Sequence, residues 1–246
     1  MGNLGVIPAR GGSKGIKNKN LINIGNHTLV ERALFTALGC KLLDRIIVSS
    51  DSVEIISIAN EHGEYAPFVR PTELATDKAG SLGVIQHALE WAEKEDKTKY
   101  EYIVLLEPPA PFRLPKHIEE ALEIASRGDA TSVMSVVEVG DYHPIRMKKM
   151  DDNGALRGYV TDEPEGLRRQ DQESAYIRNC AVCVFPRATI MSGQLWGDAP
   201  YGYMMDHSLY GINIDDAIDV LTANAYYEEM IREDTLKLIE FIPDGS

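Results

Sequence analysis

The sequence Leu4–Asn20 reads LGVIPARGGSKGIKNKN and joins a short apolar run to a cationic segment rich in glycine. The apolar run predicts a buried strand, and the glycines after it predict a loop whose backbone N–H groups are open to a ligand. Four cations lie in this loop of a chain whose formal net charge is -13: Arg10, Lys14, Lys17 and Lys19. A positive patch on an acidic protein concentrates small anions, so the stretch predicts a strand followed by a phosphate-binding loop.

Two common phosphate-binding motifs do not match this loop. The P-loop motif G-x-x-x-x-G-K-[ST] places its lysine after the second glycine, but here Lys14 precedes Gly15. The dinucleotide motif G-x-G-x-x-G begins with a glycine where this chain has Arg10. A solvated turn whose lysines bind nothing is the alternative that composition leaves open.

The segment Gly5–Asn20 resembles the nucleotide-binding signature of the CMP-sialic acid synthetases, also called acylneuraminate cytidylyltransferases. The resemblance implies an enzyme that transfers CMP from CTP to the anomeric hydroxyl of a nonulosonic, sialic-acid-like sugar acid and releases pyrophosphate. It implies catalytic roles for Arg10 and Lys14 at the triphosphate. It also places the following residues at the nucleotide: Ala9, Gly11, Gly12, Ser13, Lys19 and Asn20.

Composition limits the class of protein and its partners. A chain of 246 residues that is 44% hydrophobic is expected to form a single α/β domain over residues 1–246. A pI near 4.9 argues against nucleic acid or an anionic membrane as a partner. No apolar run approaches the ~20 residues of a membrane span, and three cysteines without a signal peptide favour reduced thiols. We therefore expect a cytoplasmic protein that binds small molecules.

Apolar periodicity predicts strands that alternate with helices, which is typical of a three-layer α/β fold with a mostly parallel, Rossmann-like sheet. The resemblance makes this the nucleotidyltransferase sheet. After the strand that opens the chain, the predicted strands are 45–50, 102–106, 130–139, 175–185 and 210–214, and the predicted helices are 28–40, 53–62, 81–93, 115–126 and 216–232. Residues 141–172 are rich in charge, Gly and Pro and predict a small excursion from the sheet.

Ligands of open α/β sheets bind outside the carboxyl ends of the strands. This rule predicts that four loops share one crevice: 10–20, 49–51, 107–113 and 214–216.

Residues 70–77 read RPTELATD and resemble the R-P-x-E-L-A-x-D segment of the same family. The resemblance implies that Arg70 and Ser81 contact the nucleotide. A capped helix entry, with Asp77 or Ser81 as the N-cap, is the structural alternative.

Residues 105–113 read LLEPPAPFR and resemble the L-L-Q-P-T-S-P-L-R loop at the sugar site of the family. The resemblance implies that Glu107 and Arg113 border the sugar. Glu107, Pro109 and Ala110 replace Gln, Thr and Ser, which removes an amide and two hydroxyls. These replacements shift the expected substrate from N-acetylneuraminic acid toward a deoxy or amino-substituted relative. The alternative is a stiff connection between a strand and a helix.

Two further segments resemble parts of the family that hold the sugar carboxylate and form the dimer contact: residues 143–146 and 167–170. They make Arg146, Arg169 and Asn179 candidates for the sugar site, since arginine pairs bidentately with a carboxylate. The resemblance also implies a homodimer. Solvated surface charge is the alternative for the arginines.

Residues 212–215 read INID and resemble the I-D-I-D motif whose two carboxylates hold Mg²⁺ in the family. Asn213 replaces the first carboxylate, but one carboxylate with waters and substrate phosphates is enough to bind Mg²⁺. The resemblance therefore implies Mg²⁺ at Asn213 and Asp215. The alternative role of Asp215 is N-cap of the last helix.

The resemblance implies a role in lipopolysaccharide or capsule biosynthesis and catalysis by positioning and charge neutralisation, and the sequence offers no obvious general base. Two other functions stay open. One is a nucleotidyltransferase of the same fold that acts on another sugar acid or a sugar phosphate. The other is a non-catalytic nucleotide-binding module.

Overall fold

The computed structural model describes residues 2–12, 15–76, 79–206, 210–236 and 240–243. The strands are β1 (Gly2–Pro8), β2 (Asn23–Ile24), β3 (His27–Thr28), β4 (Arg45–Ser49), β5 (Tyr100–Leu105), β6 (Ser132–Glu138), β7 (Lys148–Met150), β8 (Leu156–Gly158), β9 (Tyr176–Pro186) and β10 (Pro200–Met204). The helices are α1 (Leu29–Gly39), α2 (Val53–Glu61), α3 (Ser81–Asp96), α4 (Pro115–Ser126), α5 (Arg187–Met191) and α6 (Ala217–Arg232).

Six strands form the central sheet in the order β10-β6-β9-β5-β1-β4. β1 lies between β4 and β5 and is parallel to both, while β9 is antiparallel to β5 and to β6. β10 is parallel to β6, so β9 alone in this sheet runs against the other strands. The predicted mostly parallel sheet is therefore confirmed.

Helices cover both faces of the sheet because the central strands are apolar on both faces. Leu4 and Val6 of β1 pack with Leu89 of α3, and Ile7 of β1 packs on the other face with Leu34 of α1. All of these side chains are fully buried. Because both faces of β1 are apolar, each face must be covered by helices. The three-layer arrangement predicted from the order of the elements provides this cover.

Local sequence signals set the start of α1. Thr28 is the N-cap, its hydroxyl accepts from the backbone N–H of Glu31, and the Glu31 carboxylate accepts from the backbone N–H of Thr28 at 2.7 Å. This reciprocal capping box satisfies two backbone donors that the first helical turn leaves open. Thr28, the first residue of the predicted helix 28–40, is therefore its N-cap.

One predicted strand and two alternative helix caps are wrong, and one strand was not predicted. Residues 210–214 are not a strand, and the N–H of Ile214 instead donates to the backbone oxygen of Pro109 at 2.8 Å. The sheet gains β10 at its edge, where the sequence PYGYM is too polar and too rich in Gly and Pro to predict a strand. Asp216 rather than Asp215 caps the last helix, and Gly80 rather than Ser81 precedes α3.

The segment between β6 and β9 contains a two-stranded antiparallel pair, β7 with β8, that is separate from the central sheet. It includes residues 141–172, the predicted excursion. Its exposed large apolar side chains are Tyr142, Met147, Met150, Leu156, Tyr159 and Val160. Among the described helices, none is both long enough and apolar enough to cross a bilayer.

A buried ion pair joins α1 to the segment that follows α6. The Nη1 atom of Arg32 lies 2.5 Å from Oε1 of Glu240, and the two side chains are 2% and 6% exposed. The same guanidinium donates to the backbone oxygens of Ile24 and Pro111. Arg32 therefore connects the end of the chain to the loop that follows β5.

Glu93 connects α3 to α5, and its titration makes part of the stability depend on pH. Its carboxylate accepts from Nε and Nη2 of Arg187 at 2.6 and 3.0 Å and from Nζ of Lys99. The hydrogen bonds from Arg187 hold the pKa of Glu93 down to about 2. Because the folded pKa is lowered, the stabilisation is complete above the unfolded value and is lost as the pH falls toward about 2.

We expect Glu93→Gln to lower the free energy of unfolding at pH 7 by about 2 kcal/mol, since hydrogen bonds to a charged acceptor are lost. The variant should also lose part of the pH dependence of stability between pH 4.5 and about 2. Urea unfolding across this range measures both effects. An identical pH dependence in parent and variant would contradict the assignment.

Candidate active site

A cavity of about 570 Å³ opens at the carboxyl ends of β1 and β5. Its wall combines the loop after β1, the segment before α3, the loop after β5 and the segment before α6. The predicted site residues that line it are Arg10, Lys19, Asn20, Arg70, Ser81, Glu107 and Asp215. The structure thus brings together Arg10, four of the eight predicted nucleotide residues, Glu107 of the predicted sugar loop and Asp215, whereas Ala9, Gly11 and Gly12 are not part of the cavity wall.

The loop after β1 is fixed at its start by hydrogen bonds to neighbouring elements. Ala9 is buried and its N–H donates to the backbone oxygen of Ser49, while the N–H of Gly11 donates to Oδ1 of Asp51 at 2.9 Å. Asp51 therefore accepts the hydrogen bond of the Gly11 N–H, a backbone donor that the sequence analysis assigned to the nucleotide. Gly12 has open space around its Cα, and Ser13 and Lys14 lie outside the described residues.

The other end of this loop contacts the segment before α6. A Cβ atom on Gly15 would lie 2.6 Å from the backbone oxygen of Asp215, so this approach requires glycine. Nζ of Lys19 lies 3.0 Å from Oδ1 of Asp215. Asn20 is buried and donates from Nδ2 to the backbone oxygen of Arg10 at 2.9 Å. These contacts hold Arg10 and Lys19 on one wall of the cavity.

Arg70 supplies a buried cation to the same cavity. Its Nε donates to the hydroxyl of Ser49 at 3.0 Å, its Nη2 donates to the backbone oxygen of Ser49, and the side chain is almost wholly buried. Burial lowers the pKa of Arg70 to about 10, and the charge of Asp51 opposes this shift. The guanidinium therefore stays protonated at neutral pH and adds to the positive potential of Arg10.

Arg113 holds the loop after β5 through hydrogen bonds to the backbone. This side chain is 1% exposed, and it donates from Nη1 to the backbone oxygen of Ala181 at 2.6 Å and from Nη2 to that of Glu107 at 2.8 Å. Burial lowers its pKa to about 9. Arg113 therefore fixes the backbone of Glu107.

The remaining sugar candidates are not part of the cavity wall that the described residues form. Asn179 is buried, where it donates from Nδ2 to the backbone oxygen of Tyr210 and accepts from the hydroxyl of Ser135. Arg146 pairs with Asp141 in the excursion, and the side chain of Arg169 is outside the described part of the structure. That Arg113, Arg146, Arg169 and Asn179 contact the sugar stays a prediction. The positions of the described side chains do not support it.

The predicted metal residues differ sharply in environment. The side chain of Asp215 is 73% exposed at the cavity, whereas Oδ1 of Asn213 is buried and has no hydrogen-bond partner among the described residues. An amide oxygen without a donor and a carboxylate two residues away are hard oxygen ligands of the kind that Mg²⁺ prefers. The chemistry of these two oxygens suits Mg²⁺, but Asn213 is not among the described residues that line the cavity, and the described residues contain no cluster of three or more His, Cys, Asp or Glu suited to a metal.

Sequence reasoning missed the surroundings of the Glu107 carboxylate. Burial, and after it the charge of Glu107, raise the pKa of the Cys180 thiol in β9 to about 11. The sequence identified Cys180 only as a free thiol, because nothing in the local pattern indicates that β9 passes beside the end of β5.

Comparisons with known proteins identify the family of this chain. A family model described as cytidylyltransferase matches residues 4–176. The N-acylneuraminate cytidylyltransferase of Escherichia coli is 31% identical over 88% of this chain, which spans about half (50%) of that protein. The pseudaminic acid cytidylyltransferase of Campylobacter jejuni is 33% identical over 72% of this chain and 75% of its own length.

A solved structure supports the fold independently of sequence. The CMP:2-keto-3-deoxy-manno-octonic acid synthetase complexed with CTP superposes with a TM-score of 0.67, over 93% of this chain and 99% of that chain, at 13% identity. The predicted Rossmann-like nucleotidyltransferase fold is therefore confirmed. Because the family model covers most of the chain and the curated relatives exceed 30% identity, the chain belongs to the cytidylyltransferase family, with the CMP-sialic acid synthetases.

Proposed function

We propose that this protein transfers CMP from CTP to the anomeric hydroxyl of a nonulosonic sugar acid. The hydroxyl oxygen attacks the α-phosphorus in line, the bond to the β-phosphate oxygen breaks, and pyrophosphate leaves with the electron pair. The hydroxyl proton passes to solvent. One observation carries the proposal: a single cavity is lined by Arg10, Lys19 and Arg70, which suit a triphosphate, and by Glu107, which suits a sugar.

The cationic wall would bind and orient CTP. The Arg70 guanidinium is held by Ser49 and the Lys19 ammonium by the Asp215 carboxylate before any ligand arrives, so these two groups need little reorganisation as charge moves toward the leaving pyrophosphate. In the glycine-rich loop, the space beside the Cα of Gly12 is open, so a phosphate could approach the backbone there. Lys14 would belong to the same set.

Asn213 and Asp215 would hold Mg²⁺, which when bound would neutralise phosphate charge and acidify the attacking hydroxyl. Lys19 pairs with Asp215 in this structure, so the same carboxylate would exchange a lysine for the ion and its phosphate ligands.

A direct assay tests the function. Purified protein with CTP, Mg²⁺ and one sugar acid at a time should release pyrophosphate with at least one of N-acetylneuraminic acid, pseudaminic acid and 2-keto-3-deoxy-manno-octonic acid. Thermal unfolding with and without CTP is the parallel measurement. Stabilisation by CTP without pyrophosphate release for any sugar acid or sugar phosphate would identify a nucleotide-binding module instead.

The role of Asn213 gives a separate prediction. Asn213→Asp adds a second carboxylate beside Asp215, so we expect the Mg²⁺ concentration for half-maximal activity to fall several-fold, since an anionic ligand binds Mg²⁺ more strongly than an amide. Asn213→Ala should raise it. A requirement that is the same in all three proteins, with unchanged thermal stability, would show that this segment only positions α6.

We also propose an oligomeric state, a cellular location and a biological role for this protein. The exposed apolar side chains of the β7–β8 pair support a homodimer formed through the excursion, and sedimentation of the purified protein measures its mass in solution. The acidic composition and the three free cysteines support a cytoplasmic location. An activated sugar acid as product would place the protein in lipopolysaccharide or capsule biosynthesis.

A further inference from the structure

The end of β4 holds two cationic segments of the cavity wall. On one side β4 pairs with β1, and the backbone hydrogen bonds between them continue to Ala9, whose N–H donates to the backbone oxygen of Ser49 at 2.9 Å. On the other side the N–H of Arg70 donates to the backbone oxygen of Ser50 at 2.7 Å, and the Arg70 guanidinium donates to Ser49. This segment therefore lies between the loop that carries Arg10 and Arg70 itself.

Beyond Ala9 the loop is held by a side chain instead of the backbone. The chain leaves β4 and begins α2 at Ser52, the helix N-cap. The N–H of Gly11 donates to Oδ1 of Asp51 at 2.9 Å. The loop also lies close against this turn, because a Cβ atom on Gly11 would come within 2.9 Å of Cβ of Ser52. Asp51 thus fixes the loop at the residue directly after Arg10.

The carboxylate of Asp51 is close to a cavity whose cations suit a triphosphate. Arg10 and Arg70 line this cavity, whereas Asp51 is not among the described residues that do so. Burial lowers the pKa of Arg70 to about 10, the charge of Asp51 opposes this shift, and the charge of Arg10 adds to it. A carboxylate here weakens the attraction for an anionic substrate, so any benefit to catalysis comes from the position that it gives to the loop.

We propose that Asp51 is a positioning residue for CMP transfer. By accepting from the Gly11 N–H, it fixes the loop that carries Arg10 and sets the position of Arg10 relative to Arg70 before CTP binds. The inference rests on the proposed function and adds the group that preorganises the cationic wall. Displacing a preorganised cation mainly weakens its interaction with developing charge, so loss of the Asp51 hydrogen bond lowers kcat and does not raise the KM for CTP.

The test is Asp51→Ala, assayed by pyrophosphate release with CTP, Mg²⁺ and the sugar acid that gives the parent its highest kcat/KM. We expect kcat to fall roughly tenfold, the size of a lost hydrogen bond to a charged group. The KM for CTP should stay the same or fall, because a negative charge near the triphosphate is removed. A lower KM with an unchanged or higher kcat would show that Asp51 competes with phosphate for the Gly11 N–H, which contradicts the inference.

Two further variants separate the position of the acceptor from its charge. Asp51→Asn keeps an oxygen acceptor at the same place and should keep kcat within about threefold of the parent. Asp51→Glu keeps the charge but moves the carboxylate by one CH₂ group, and it should show the same fall in kcat as Asp51→Ala, also where the alanine variant does not fold. The opposite ranking of these two variants would mean that Asp51 acts through its charge, and it would overturn the inference.

Asp44 offers a matched control at the other end of the same strand. Its Oδ2 accepts from the backbone N–H of Asn3 at 2.7 Å, as Asp51 accepts from the N–H of Gly11. Asp44→Ala should leave kcat and both KM values at the parental level, whatever its effect on the Tm. If Asp51 only stabilised the strand, the two alanine variants would have the same kinetic constants, which would refute a positioning role.

A double-mutant cycle identifies the route of the effect. If Asp51 acts through Arg10, then Asp51→Ala should cause no further fall in kcat once Arg10→Ala is present. A parent that releases pyrophosphate, combined with an Asp51→Ala variant whose kcat is unchanged or falls equally in both backgrounds, would overturn the inference alone. A parent that is inactive with CTP and every sugar acid would overturn the proposed function, and the inference with it.

Discussion

Arg10→Ala is expected to lower kcat for CMP transfer by roughly 10²- to 10³-fold, the loss that follows removal of one preorganised group that stabilises developing charge. Arg10 lines the cavity in the loop after β1, and charge moves toward pyrophosphate as the bond to the β-phosphate breaks. The KM for CTP should change much less than kcat, because the interaction strengthens in the transition state. Steady-state kinetics with saturating sugar acid separate the two constants.

Lys17→Ala is the matched control for this experiment. Lys17 carries the same charge in the same loop but is not one of the residues that line the cavity, so its removal should leave kcat within about twofold of the parent, as for a screened surface charge. Lys14→Ala is expected to behave like Arg10→Ala. Near-parental kcat in Arg10→Ala, in a variant that unfolds at the parental temperature, would remove Arg10 from the catalytic site.

Glu107→Gln is expected to change which sugar acid the enzyme prefers. An ionised carboxylate only accepts hydrogen bonds, whereas the amide both donates and accepts, so the parent should favour a substrate with a donor at this point. A site that leaves a buried polar group unpaired rejects the wrong analogue by up to ~10⁴- to 10⁵-fold, and a partly exposed group such as Glu107 gives a smaller ratio.

The measurement is kcat/KM for N-acetylneuraminic acid and for deoxy or amino-substituted relatives, in the parent and in Glu107→Gln. The parent should prefer a relative, and the variant should shift toward N-acetylneuraminic acid. Gln86→Glu offers a control for a charge change at a residue that is outside the cavity wall. Preference of the parent for N-acetylneuraminic acid, with the same ranking in Glu107→Gln, would show that this loop does not set the sugar.

Features decided by neighbouring residues could be predicted from the sequence. The apolar run that forms β1 was expected to be a buried strand, and the spacing of apolar residues was expected to give the helix 28–40, because each rests on residues close in sequence. The rule that ligands bind at the carboxyl ends of the strands also placed the loops 10–20, 107–113 and 214–216 at one cavity, whereas no residue of 49–51 is among the described residues that line it. Arg70, which the family resemblance assigned to the nucleotide, lines the same cavity.

Features decided by distant parts of the chain could not be predicted. Arg113 supports the Glu107 backbone because β9 inserts antiparallel beside β5 and presents the backbone oxygen of Ala181, 68 residues away. The same insertion places Cys180 where burial and the charge of Glu107 raise the pKa of its thiol. The pattern of apolar residues predicts that β9 is a strand, but it does not predict which strand pairs with it.

The buried pair of Arg32 and Glu240 has a consequence for synthesis on the ribosome. The two residues are 208 positions apart, so at ~5–20 residues per second Arg32 is synthesised ~10–40 s before Glu240. During that interval α1 would have to bury this guanidinium without the Glu240 carboxylate, which is strongly unfavourable. The contacts of α1 with β1 can therefore form early, but the packing around Arg32 is completed only after Glu240 has been synthesised.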